Sequence, residues 1–191
     1  MGTYHMGKRK MIRLRNEILA NLGRPIPSDP DELFEALRQF LERRFNEDRG
    51  DGAYRPVQLL FREFPEDTAS GLTLTFDDRM VIVVERHTTT LHQLVIFAHE
   101  MWHALMGKCL THGAQPDAVS AAARSLGGEL EHADILALAA RTHFHTKEEN
   151  DAEAFGLLLG SSCREILEPG AASLPNTGLA GRIQSSMGRG F

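Results

Sequence analysis

Residues 98 to 104 read Ala98-His99-Glu100-Met101-Trp102-His103-Ala104, a His-Glu-x-x-His pattern within a run of helical periodicity from Thr88 to Met106 that Gly107 ends. Residues four apart lie on one face of a helix, one turn along. His99 and His103 can therefore each aim a ring nitrogen at a single ion. Zinc takes nitrogen ligands at ~2.0–2.1 Å and, in catalytic sites, keeps one position open for water. Glu100 is rotated away from the two ligands by one residue, so it can reach that water and serve as general base. Leu94, Ala98, Trp102 and Leu105 form an apolar stripe on the same helix, suited to a core.

Before this helix the period changes. Val57–Phe61 reads as a strand, Leu72–Phe76 alternates apolar residues with threonine, and Met80–Val84 is an apolar, mostly β-branched run after a turn at Asp77-Asp78-Arg79. These segments predict an antiparallel hairpin on a small, mostly antiparallel sheet of about three strands. Further upstream, Met11, Ile12, Leu14, Ile18, Leu19 and Leu22 recur at helical spacing between Arg9 and Leu22, and Gly23 stops the run. Pro25-Ile26-Pro27 is a linker. Ser28 or Asp29 can cap a second helix, with Pro30 in its first turn and Leu33, Phe34, Leu37, Phe40 and Leu41 as its buried stripe.

Downstream, His112–Pro116 reads as a loop, and Asp117–His143 is rich in alanine and leucine and mostly helical, with a break at Gly127-Gly128. Glu148–Ser161 is an amphipathic helix, and Gly, Pro and Ser dominate from Pro169 onward. Helices, a small sheet and further helices make the expected class α+β.

Composition narrows the classes further. A chain of 191 residues, 42% hydrophobic and 25% charged, is expected to be one globular domain. Its formal charge of −5 disfavours direct binding to a nucleic-acid backbone. Cys109 and Cys163 cannot build a disulfide scaffold. The central apolar run Leu94–Ala98 is far short of a membrane span. Lys8-Arg9-Lys10 is followed by no apolar segment of the kind a signal peptide carries, so the expected compartment is the cytoplasm. Residues 1 to 5 read as a cloning remnant ahead of a start at Met6.

Two histidines leave the ion in need of a third ligand. Cys109 stands where a metzincin would carry its third histidine, and Met106 stands where that class has glycine, so that class is disfavoured. Cys109 itself remains a candidate, as do Glu129, Glu131 and His132. The favoured candidate is Glu149, in the later helix. Glu149 and Glu153 are four apart and share a face, while Ala152, Phe155 and Leu159 pack on the adjoining one. One carboxylate could bind the ion while the other steadies a ligand histidine. His92, seven residues before His99, reads as a polar neighbour of the cleft. His143, His145 and Tyr54 are candidates for stabilising an oxyanion; Cys163 reads as buried.

The two motifs resemble those of the ImmA/IrrE-type zinc metallopeptidases, which are similar to minimal gluzincins. That family follows its His-Glu-x-x-His helix with Glu-x-x-Ala-x-x-Phe-Ala-x-x-Leu; here the positions are Glu149, Ala152, Phe155, Gly156 and Leu159. The hairpin Gly71–Glu85 resembles the family's edge strand. The resemblance spans about residues 57 to 160. It implies a zincin-like fold, Zn2+ held by His99, His103 and Glu149, and Glu100 as catalytic base. The activity it implies is metalloendopeptidase cleavage of an intracellular protein, such as a helix-turn-helix regulator or an antitoxin. The alternative is a non-proteolytic, toxin-like or regulatory module that binds a partner around a structural or sensory zinc. Trp102, Gly156 and Gly160-Ser161 differ from the family's usual residues, and the interval from His103 to Glu149 is longer. The expected organisation is an N-terminal helix and linker (1–28), a zincin-like domain (29–168) with a helical insertion at about 112–146, and a tail (169–191).

Overall fold

The computed structural model describes residues 3–23, 25–47, 53–64, 70–76, 78–106 and 146–167. Helix α1 (Thr3–Asn21) begins before the expected Arg9 and ends where Gly23 takes a φ of 90°, a left-handed conformation open to glycine. Helix α2 (Pro30–Glu47) is started by Asp29, whose Oδ1 accepts the Glu32 amide at 2.9 Å. Ser28 donates its amide and hydroxyl back to the Glu32 carboxylate, at 2.9 and 3.0 Å. The expected stripe Leu33, Phe34, Leu37, Phe40 and Leu41 is buried.

Strands β1 (Val57–Arg62), β2 (Gly71–Thr75) and β3 (Met80–Glu85) form one sheet in the order β1-β3-β2. The hairpin β2–β3 is antiparallel as expected, but β1 pairs with β3 in parallel, so the sheet is mixed rather than mostly antiparallel. The reason lies in β3. Its apolar run suits a strand buried on both faces and flanked on both edges. With β3 central, β2 falls on the outer edge, and two chain reversals leave β1 and β3 running the same way.

Register assigns the faces. Gly71 and Thr73 stand opposite Val84 and Ile82, while Val57, Leu59 and Phe61 stand opposite Met80, Ile82 and Val84. Helices α2 and α3 pack on this face, α2 against β1 and α3 against β2 and β3. On the other face Leu72, Leu74, Val81 and Val83 are buried too.

Helix α3 (Thr90–Leu105) starts on Thr89, whose side chain accepts the His92 amide, and ends at Met106. The last described helix, α4 (Thr146–Leu167), runs past the expected Ser161 and packs extensively along α3. All four helices and the sheet share one core, in which Ile18, Leu37, Phe97, Met101, Phe155 and Leu159 are fully enclosed. The described residues thus form an α+β arrangement of four helices and a three-stranded mixed sheet. The expected loop at 112–116, the helical insertion up to residue 145 and the tail 169–191 lie outside the described residues. Among those described, no helix is long and apolar enough to cross a membrane.

Phe97 joins the helical layer to the sheet: it is wholly buried, with its ring centroid 6.1 Å from that of Phe34. Phe97→Ala is expected to lower the unfolding free energy by about 3–5 kcal/mol in urea denaturation. A loss below about 1 kcal/mol would show that this junction is not packed as described.

Candidate metal centre

Helix α3 is enclosed on several sides along its second half, which withdraws His99 and His103 from open water to different degrees. His103 is 2% exposed and His99 is half-buried. Their Nε2 atoms lie 3.0 Å apart. Across from them, α4 brings Glu149 in its first turn, with Oε2 3.3 Å from His99 Nε2 and Oε1 3.3 Å from His103 Nε2. The expected trio thus converges on one point, and its ligand atoms all lie within 4.8 Å of one another.

The donor set fits an ion. Nitrogen and oxygen ligands at ~2.0–2.1 Å from a tetrahedral ion are separated from each other by ~3.3 Å. The two imidazole nitrogens stand 3.0 Å apart and each faces a different oxygen of Glu149 at 3.3 Å, close to that spacing, while one ligand atom per residue gives a set that lies within 4.8 Å. Glu149 Oε1 is moreover buried without accepting a hydrogen bond, a costly state for a carboxylate oxygen that a cation would relieve. His99, His103 and Glu149 can therefore hold a metal ion.

Close backbone contact between α3 and α4 permits this convergence. A Cβ at Gly156 would stand 2.6 Å from the Val95 carbonyl oxygen, and one at Gly160 would stand 2.7 Å from the Val95 side chain. Gly156 and Gly160 are thus points of close approach in the helix pair. Trp102 is 6% exposed and packs against Phe155 with ring centroids 5.1 Å apart. It fills the α3–α4 core rather than narrowing the site.

Glu100 points toward the sheet side of α3. It is 6% exposed, and its Oε2 accepts a hydrogen bond from the Thr73 hydroxyl of β2 at 2.8 Å. Burial pushes its carboxyl up to about 7; the Thr73 bond opposes the rise and the Glu149 charge adds to it. Burial acts the other way on the imidazoles. It lowers His99, with the Glu153 charge opposing, and takes His103 down to about 4 with help from His99. Both rings are thereby kept in the neutral form that ligates metal. Burial and the Glu148 charge raise Glu149.

Other candidates fall elsewhere. His92 is exposed near the start of α3, and Glu153 is exposed on α4, reaching His99 as a charge. Tyr54 is 67% exposed and its hydroxyl donates to Glu42 of α2. Cys163 is buried as expected, and burial pushes its thiol up to about 11. Cys109, Glu129, Glu131, His132, His143 and His145 lie outside the described residues. Sequence reasoning missed Thr73 and Gly71; threonine alternation in β2 marks one face of the strand but not what that face meets. No family model, curated protein or solved structure matches this chain.

Gly156→Ala is expected to cost about 1–3 kcal/mol of stability by overpacking and to weaken Zn2+ binding by displacing Glu149, as read by urea denaturation and by zinc titration. Unchanged zinc affinity would separate the glycine contact from the site. For Glu100, a carboxyl raised from 4.5 to about 7 stabilises the fold fully below pH 4.5, and that contribution is lost as pH rises through 7. In chelator, wild type should therefore lose about 3 kcal/mol relative to Glu100→Gln between about pH 4.5 and pH 8. The histidines titrate in both proteins and cancel in the comparison; a flat difference would mean the carboxyl is not desolvated.

Proposed function

We propose that this chain is a zinc-dependent endopeptidase of the His-Glu-x-x-His type, acting in the cytoplasm on a protein substrate and similar in its site to the ImmA/IrrE-type metallopeptidases. The observation that carries this reading is the meeting of His99, His103 and Glu149 at donor spacing, with the buried Glu100 carboxylate one residue along the same helix. Zinc held by His99, His103 and Glu149 would supply a Lewis acid for the scissile carbonyl and would lower the pKa of water toward ~7. Glu100 takes the proton of the attacking water and passes it to the leaving amine nitrogen as the carbon–nitrogen bond breaks. A base that ionises near the working pH suits both transfers.

The substrate's backbone can be met by β2. This strand is the outer edge of the hairpin and packs on α3, while β3 is central. An extended peptide added there gains main-chain hydrogen bonds whatever its side chains. A helix-turn-helix regulator or an antitoxin is the substrate class that the motif resemblance favours.

Glu100→Gln is expected to keep roughly one zinc per chain while lowering hydrolysis of an internally quenched peptide library by about 10²–10⁴-fold. Glu149→Ala should lower zinc content more than Glu131→Ala, and chelation should abolish hydrolysis of the same library. Hydrolysis that survives Glu100→Gln would overturn the assignment of the base. A partner-dependent phenotype that survives it would favour the non-proteolytic binding module.

A further inference from the structure

The Glu100 carboxylate lies with both oxygens against the same strand. Oε2 accepts the Thr73 hydroxyl at 2.8 Å, and the Glu100 backbone carbonyl lies 3.4 Å from that hydroxyl. Thr73 is 2% exposed. Its β-branched side chain has a restricted χ1 in a strand, so the strand itself aims the hydroxyl. Two residues earlier, on the same face, stands Gly71. A Cβ there would lie 2.7 Å from Glu100 Oε1, 3.1 Å from its Cγ and 2.6 Å from Ile96 Cγ2. A side chain at position 71 would force the Glu100 carboxylate, the Ile96 side chain or α3 itself to shift.

We propose that Thr73 and Gly71 are positioning residues for Glu100, a proposal that rests on reading Glu100 as the general base. Thr73 engages one carboxylate oxygen and fixes the plane of the group. Gly71 leaves the volume that the second oxygen occupies. The strand is itself fixed, because Thr73 and Gly71 pair with Ile82 and Val84 of the central strand. β2 therefore supplies the fixed wall against which the proton carrier is held.

The contact is tested first without activity, in the full chain under chelator, by a double-mutant cycle between Thr73→Val and Glu100→Met in urea denaturation. Coupling of about tenfold in the unfolding constant is expected; additive effects overturn the contact. The positioning role is tested in the zinc-loaded chain with the internally quenched peptide library. Thr73→Val should lower kcat by about 10- to 100-fold with KM and zinc content unchanged, and Thr73→Ser should restore kcat to within about threefold. Gly71→Ala should lower kcat likewise at unchanged zinc content. Equal kcat for Thr73→Val and wild type overturns the positioning role, even where the cycle shows coupling. A wild-type chain that hydrolyses no library peptide refutes the peptidase reading instead, and the cycle still decides whether Thr73 holds Glu100.

Discussion

The close approach of α3 and α4 is the constraint on which the site depends. A glutamate is short, and one helical residue of slippage moves it ~1.5 Å along the axis and turns it ~100° around it. Glu149 meets two imidazoles on the neighbouring helix, so register and separation must both be set. Gly156, seven residues and about two turns on from Glu149, lies under the same helix face and lets the backbone of α4 come down onto the Val95 carbonyl. Gly160 repeats the contact one turn later against the Val95 side chain. Trp102 and Phe155 then fill the flank of the crossing. Small residues set the distance and large ones prevent rotation.

Enclosure by this packing also sets the protonation of the cluster. Desolvation disfavours whichever form is charged. For an imidazole that means a free lone pair; for a carboxylic acid it means a retained proton. The same dry environment thus leaves His99 and His103 ready to ligate and lifts Glu100 to about 7. The difference between the proposed ligands and the proposed base comes from residue type and direction. The imidazoles turn toward α4, and Glu100 turns toward β2, one residue and about 100° around the helix.

Much of this was legible in the sequence, for a physical reason. His99 and His103 are joined by helical periodicity, a local property. The α2 stripe is equally local and is buried as expected, and of the two expected caps, Ser28 and Asp29, it is Asp29 that accepts the Glu32 amide. Glu149 was legible as one of several acidic and histidine candidates, because an α4 face is readable but its partner is not. What could not be read was set by tertiary contact. The parallel pairing of β1 with β3 depends on which strand is central, and the role of Gly156 depends on an interhelical distance. In the same way, Thr73 looked like the polar half of an alternating strand until the sheet was set against α3. The direction of Tyr54 depended on Glu42, which lies on another element.

β2 therefore has two faces of consequence at once. Its side chains hold Glu100, and its outer edge is unpaired within the described sheet. A strand is stiffened by pairing on both edges, because each added ladder of hydrogen bonds removes backbone freedom. A peptide added to that edge would flank β2 opposite β3, and the wall behind the carboxylate would become a central strand. Thr73 and Gly71 would then be held from both sides at the moment the scissile bond arrives. If the chain is the proposed peptidase, the backbone contacts that bind substrate would also steady Glu100, so binding energy from parts of the peptide remote from the scissile bond would appear in the rate of cleavage as well as in affinity.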